Sequence, residues 1–341
     1  MAIFTKDIGI DLGTASTIVH VHGRGIVIRE PSVVAIDKTT KKIMAVGDNA
    51  KEMLGRTPEG IAAIRPIREG VVANYDITQI MLRYFMHKAG ARGLFIKPRA
   101  VICIPSGITE VEKRAVEEAA LQAGAREAYL IEEPMAAAIG AGLPVESAVG
   151  SMVVDIGGGT CEVAVISLGG IVASKSLRIA GDAFDSAIKL YIKRELNLLI
   201  GERTAEDIKI TAGAAFPRGD EVFYELRGRD VVDGLPKNLT ISSMEIMEAI
   251  SDALGEIIEA IRLTLEVTPP ELSSDIMATG IVMTGGGSLL TGLDELITRV
   301  TGIPVIIAEN PVDCVAMGAG IVLDGLDDLR RLLVPTIRRK N

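Results

Sequence analysis

An α/β fold built from two similar halves, with mixed sheets, is the architecture this sequence predicts. Three observations carry it. The string Asp11-Leu12-Gly13 ends an apolar run and precedes a Gly/Thr/Ser turn, and it recurs as Asp155-Ile156-Gly157, 144 positions later (155 − 11). A third glycine turn, Gly285-Gly286-Gly287-Ser288, follows another apolar run. Helical stretches with core-facing periodicity follow each hairpin set. A duplication of such long period means two related halves rather than a solenoid, whose repeats are far shorter. At roughly 150 residues per domain, the 341 residues make two or three domains. No low-complexity linker divides them, which predicts interwoven domains.

The elements follow in order. Residues 7–21 read as a hairpin around Gly13-Thr14-Ala15-Ser16. The turn Gly23-Arg24-Gly25 leads to strands at 26–28 and 33–36, predicted to extend a meander. A strand at 101–104 precedes a helix opened by the Thr109/Glu112 capping box and closed by Gly124. Residues 151–167 repeat the hairpin around Gly157-Gly158-Gly159-Thr160. A helix is expected over 182–199, stopped by Gly201. The longest spans 243–267, with Ile246, Ile250, Leu254, Ile257, Ile261 and Leu265 at helical steps before Pro269-Pro270. So short a stripe predicts a core-facing helix rather than a coiled coil. Strands at 281–284 and 305–307 complete the set.

Composition excludes several classes. Hydrophobic residues make up 48% and charged residues 24%, a globular balance that rules out disorder and fibrous repeats. With 3% aromatics and no Trp there is no stacking platform for single-stranded nucleic acid. The net charge of −9 repels a polyanion, so no nucleic-acid partner is expected. Mean hydropathy of +0.35 raises the question of a membrane span. The most apolar window, 153–173, is broken by Asp155, Glu162 and several glycines, so none is predicted. The amino terminus is too short for a signal peptide. Cys103, Cys161 and Cys314 lack any C-x-x-C spacing and read as buried hydrophobes in a reducing, cytoplasmic setting.

The glycine turns carry the candidate chemistry. Glycine allows close backbone approach, so successive N–H groups can point at a phosphate, and Thr14, Ser16, Thr160 and Ser288 add hydroxyls beside them. One such turn is better explained as a tight hairpin; three, two of them duplicated behind an aspartate, favour phosphate binding. Asp11 and Asp155 then suit Mg2+ held through its water shell, because that ion dehydrates reluctantly. A turn-capping aspartate is the plainer alternative, and the duplication tilts the balance to metal. There is no G-x-x-x-x-G-K-[ST] loop, no G-x-G-x-x-G and no G-x-S-x-G elbow, and His20, His22 and His87 make no zinc site.

These turns resemble the actin/Hsp70/sugar-kinase ATPase superfamily. The strings Asp7-Ile-Gly-Ile-Asp-Leu-Gly-Thr-Ala15, Glu30-Pro-Ser-Val-Val-Ala35, Ile131-Glu-Glu-Pro-Met-Ala-Ala-Ala-Ile-Gly-Ala-Gly142, Val154-Asp-Ile-Gly-Gly-Gly-Thr160 and Gly201-Glu-Arg-Thr-Ala-Glu206 resemble the MreB family of bacterial actin homologues, over about residues 7–335. The resemblance implies two large subdomains, each bearing a smaller one. It divides the chain into IA (1–34, 68–144, 315–341), IB (35–67), IIA (145–182, 247–314) and IIB (183–246). It also implies ATP, with GTP as the alternative, bound with Mg2+ in the cleft between them. By that similarity Asp11, Gly13, Thr14-Ala15-Ser16 and Gly157-Gly158-Gly159-Thr160 clamp the phosphates. Glu206 and Lys209 reach the ribose and adenine, with Asp207 and Ile208 lining that turn, and Gly285, Gly286, Gly287, Ser288 and Leu289 close the purine pocket. Asp155 and Thr160 join the catalytic group, and Glu133 orients the attacking water. Acids at a helix start also favour the dipole regardless of catalysis, and the family register, not the sequence by itself, selects Glu133 over Glu132.

Ser16 stands where the family more usually has Asn, and Cys161 where Thr is usual. Ile18 stands near the place of the phosphate-binding lysine of eukaryotic actin, so charge compensation is expected to rest on Mg2+ and N–H dipoles, with slow hydrolysis. The resemblance further implies filaments of paired strands on the inner face of the cytoplasmic membrane, guiding cell-wall synthesis and rod shape with partners such as MreC and RodZ. Leu94-Phe95-Ile96, between Arg92 and Lys97, reads either as a strand start or as a loop dipping into an anionic bilayer; the family favours insertion, with Ile3 and Phe4 as additional contacts. The basic tail reads as a solvated terminus. A small-molecule kinase of the same fold is the alternative. A chaperone ATPase would need a further domain, yet Thr284 lies only 57 residues from the end (341 − 284).

Overall fold

The structure, a computed structural model, describes residues 6–91, 97–217 and 219–335. Its two lobes are organised around five-stranded sheets of one topology. In the first, Ile8–Leu12, Ser16–Val21 and Gly25–Pro31 form an antiparallel meander; Arg99–Ile104 and then Glu127–Glu132 extend it in parallel from the far side of Ile8–Leu12. In the second, Ser151–Ile156, Cys161–Ser167 and Gly170–Leu177 make the meander, with Ile281–Thr284 and Val305–Ile307 as the parallel pair. The duplication first visible in two Asp-x-Gly strings therefore extends to whole sheets. Covered on both faces, the inner strands are buried at successive positions rather than alternately, as at Ser151–Ile156.

In each lobe the last parallel strand leads to a helix, Glu133–Gly140 in the first and Cys314–Asp324 in the second, the latter through a short helical turn. These two helices pack on each other between the lobes. Small residues make that approach possible: a side chain on Gly140 would strike the Cys314 carbonyl, and one on Gly318 the Ala136 carbonyl. A shared apolar cluster runs from Val101 and Ile131 through Met135 to Val153, Ala164 and Val322, so the joint belongs to both lobes.

Each lobe carries a smaller three-stranded sheet: Val34–Asp37 with Ile43–Val46 and Ile61–Ile64 on the first, and Leu198–Leu199, Phe223–Asp230 and Pro236–Ser242 on the second. Two expectations need correction here. The strand at 33–36 does not extend the meander, because the chain leaves the sheet after Pro31, where the Ser32 hydroxyl donates to the Gly13 carbonyl at 2.6 Å. Nor does a helix span 182–199. It covers Gly181–Glu195, and Asn197 then takes a left-handed conformation (φ 51°) that turns Leu198–Leu199 into a strand beside Asp230 and Arg229.

Other elements match their local chemistry. Thr109 and Glu112 form the expected capping box, and Gly124 closes that helix at φ 126°. Ser243–Glu266 opens with a second capping box, Ser242 with Glu245, and buries Ile246, Ile250, Leu254, Ile257 and Ile261 in the second lobe's core. Pro270 does not merely end it but begins the helix Pro270–Thr279. Cys103, Cys161 and Cys314 are free and buried. Among the described residues no helix is long and apolar enough to cross a membrane. Ile3, Phe4 and the segment Leu94-Phe95-Ile96 lie outside the described residues.

Candidate functional site: the cleft between the lobes

The two duplicated hairpin turns face one another across a cavity of about 380 Å3. They are in contact at its floor. A Cβ added to Gly158 would lie 2.5 Å from the Ala15 Cβ, and one added to Gly159 would lie 2.8 Å from the Thr14 Cβ. Only glycine lets the second hairpin come so close to the first. Gly70 supplies a third piece, its N–H donating to the Thr14 hydroxyl at 3.1 Å. The third glycine turn stacks on the end of Ser151–Ile156, where Gly285 (φ 78°) leaves no room for a Cβ against the Ile156 backbone.

Asp11, Gly13, Thr14, Ala15, Ser16, Glu133, Asp155, Gly157, Gly158, Gly159, Thr160, Glu206, Lys209, Gly285, Gly286, Gly287 and Leu289 all line this cavity. Residues 276 positions apart in sequence (289 − 13) thus meet in one place. Three expected members do not line it. Ile208 points into the second lobe's core with Ala205 and Ala212, and Asp207 faces solvent. The face of helix Glu202–Ala212 turned to the cavity is Glu206, Lys209, Ile210 and Gly213. Ser288 is fully buried and donates its hydroxyl to the Gly285 carbonyl at 2.6 Å, so it holds the turn's shape rather than its lumen.

Sequence reasoning named Lys209 but missed the other two cations at the mouth, Lys51 and Arg65. Lys51 on the first lobe pairs with Glu206 on the second at 2.9 Å, and Arg65 pairs with Asp182 at 2.8 Å. Lys209 is held by Asp185 at 2.8 Å and by the Gly181 carbonyl at 2.9 Å. All of these residues line the cavity, so its mouth is charged and cross-lobe, not simply glycine-lined. Partners 155 and 117 positions apart carry no local signal.

Three carboxylates, Asp11, Glu133 and Asp155, crowd the floor, with Glu162 buried behind them. Glu133 is 7% exposed and its pKa is pushed well up, first by burial, then by Glu162, Asp11 and Asp155. Glu132, one residue earlier, does not line the cavity. Burial, and next the Asp155 charge, raises Asp11 to about 8. Burial raises Asp155 to about 6, partly offset by the hydroxyl of Thr284 donating at 2.7 Å. The sign of the consequence is definite. Between the ordinary value of 3.8 and about 8, the folded chain holds a proton that the unfolded chain has released, so stability falls as pH rises through that window. The nucleotide-free protein should lose thermal midpoint steadily from pH 5 to 8 in differential scanning fluorimetry, and Asp11→Asn should flatten that slope. An unchanged slope in the variant would remove Asp11 from the account.

Two duplicated sheets, a shared helix joint and paired glycine hairpins across the cleft are the marks of an actin-like fold. Comparison with known proteins narrows the class. The family model for the MreB/Mbl protein matches residues 5–331. The chain is 53% identical to the cell shape-determining protein Mbl of Bacillus subtilis (strain 168) over 327 residues, covering 96% of this chain and 98% of that protein. It is 54% identical to the cell shape-determining protein MreB of Escherichia coli (strain K12) over 331 residues, 95% of each. The crystal structure of MreB 5 of Spiroplasma citri bound to AMPPNP superposes with a TM-score of 0.90 at 37% identity, over 94% of this chain and 96% of that one. The chain belongs to the MreB/Mbl family.

Proposed function

We propose that this chain is an ATP-binding, slowly hydrolysing cytoskeletal protein that forms membrane-associated filaments governing cell shape and wall synthesis. The observation that carries the nucleotide part is the pair of duplicated hairpins facing each other across the cavity, in a family with a member solved bound to AMPPNP. Backbone N–H groups of Gly13–Ser16 and Gly157–Thr160 grip the phosphates from both sides. Glu206 and Lys209 take the ribose and adenine, exchanging their present partners Lys51 and Asp185 for the ligand. Gly285–Gly287 and Leu289 close the purine end.

Asp11 and Asp155 suit Mg2+. Two buried carboxylates whose pKa values are raised gain most from a cation, and this ion is usually held by one or two carboxylates together with phosphates and water. When bound, Mg2+ neutralises phosphate charge as it develops. Glu133 accepts the proton of a water aligned with the terminal phosphate, with Thr160 beside it; burial and the neighbouring carboxylates raise its pKa, which increases its proton affinity. Before ligand binds, Lys51, Arg65 and Lys209 are each engaged by carboxylates among the described residues, an arrangement that fits slow turnover rather than metabolic catalysis. The kinase alternative loses its ground, since both relatives quoted are cell shape-determining proteins.

At the membrane, Leu94-Phe95-Ile96 inserts between basic neighbours, and wall-synthesis proteins of the MreC and RodZ type are the partners that the family resemblance implies. Burying two such side chains contributes roughly 3–6 kcal/mol, marginal for one subunit, so binding depends on polymerisation. Co-sedimentation with anionic vesicles tests this. Wild type should pellet with vesicles only in ATP·Mg2+. Leu94→Ser/Phe95→Ser should polymerise yet stay off the lipid, and equal pelleting of the double variant would sink the insertion reading.

A further inference from the structure

Glu162 is almost completely buried, at 1% exposure, and does not line the cavity. It sits on Cys161–Ser167 of the second lobe, two residues after Thr160, and opposite Asp155 in the strand pair. One carboxylate oxygen accepts the backbone N–H of Ser106 at 3.2 Å; the other accepts the hydroxyl of Ser176 at 2.5 Å. Ser176 belongs to the same lobe, whereas Ser106 follows the strand Arg99–Ile104 of the first lobe. The bond to Ser106 therefore crosses the lobe boundary behind the cleft.

The surroundings give that bond its leverage. A Cβ on Gly70 would lie 2.5 Å from Pro105 Cγ and 2.8 Å from Thr160 Cγ2. The Pro105–Ser106 loop, the Gly70 turn and Thr160 thus meet at one point, and Gly70 is in turn bonded to Thr14. Glu133, on the first lobe, takes its strongest charge–charge influence from Glu162. Burying a carboxylate beside other carboxylates is costly, and nothing in the phosphate-gripping hairpins requires one there.

We propose that Glu162 is a positioning residue for hydrolysis, holding the Ser106 backbone of the first lobe against the second so that Glu133 and Thr160 keep their working separation. This rests on the cavity being the nucleotide site. Glu162→Ala leaves the Ser106 N–H without its acceptor; Glu162→Gln retains an acceptor oxygen for it; Glu162→Asp keeps the charge but shortens the reach. Single-turnover phosphate release and equilibrium binding of a fluorescent ATP analogue are measured in parallel.

Phosphate release should slow at least tenfold in Glu162→Ala, with nucleotide affinity within threefold of wild type, and Glu162→Gln should recover most of the rate. Should the alanine variant not fold, Glu162→Asp carries the same expectation of slowed release at unchanged affinity. Wild-type release in either shortened variant would overturn the proposal, as would Glu162→Gln as slow as alanine or an affinity loss matching the rate loss. If the wild-type chain itself binds no nucleotide, the reading of the cavity fails, and that result is separate from any difference among the variants.

Discussion

Glu133→Ala is expected to slow phosphate release by roughly a hundredfold or more, the span typical of losing a positioned proton acceptor, while nucleotide affinity stays within about threefold. Glu133 opens a helix at the cavity floor, and the cavity is where its carboxylate can meet water. On the proposed function the phosphate-gripping groups belong to the two hairpins, so removing Glu133 should take away a group that acts on the water rather than on the nucleotide. Single-turnover release on prebound ATP, set beside equilibrium binding, separates the two. Loss of affinity equal to the loss of rate would mean that Glu133 only shapes the pocket. Glu133→Gln should be nearly as slow, because it fills the same volume and cannot take a proton.

Gly159→Ala is expected to weaken nucleotide binding by roughly 5- to 150-fold, the equivalent of about 1–3 kcal/mol of overpacking. The new Cβ lies 2.8 Å from Thr14 Cβ and 2.9 Å from Thr14 Cγ2. Neither is the far end of a flexible chain, so the hairpins themselves must separate. Gly159 does not need a left-handed backbone, and the damage is confined to the hairpin contact rather than to the turn. Gly60→Ala is the matching control, since its Cβ would meet nothing within 4 Å. Isothermal titration of both variants with an ATP analogue decides the matter, and equal affinities would show that the hairpins do not jointly grip the ligand.

The sequence made much of the cleft legible because duplication is a long-range signal written in short strings. Asp11-Leu12-Gly13 and Asp155-Ile156-Gly157 point to two related halves, and the resemblance to the MreB family sets their turns on opposite sides of one cleft. Helical period was similarly informative for Ser243–Glu266. The same logic, applied more strictly to Glu202–Ala212, would have assigned Ile208 to the core face with Ala205 and Ala212, and Glu206, Lys209 and Gly213 to the cavity. What stayed hidden depends on tertiary placement. Val34–Asp37 has an ordinary strand composition that does not record which sheet it joins. Lys51 and Arg65 acquire meaning only once Glu206 and Asp182 stand opposite them. Glu162 looked like an interruption in an apolar run and became a cross-lobe acceptor only when Ser106 was beside it.

The central claim is a filament whose assembly is governed by nucleotide in the interlobe cleft. Light scattering against protein concentration, with ATP·Mg2+, with ADP·Mg2+ and without nucleotide, tests it most directly, the scattering samples being imaged by negative-stain electron microscopy. The account predicts a sharp concentration threshold with ATP·Mg2+, filaments in the images, and no threshold in the nucleotide-free sample. A chain that binds ATP yet stays monomeric at every concentration, or that transfers phosphate to an added sugar, would contradict it.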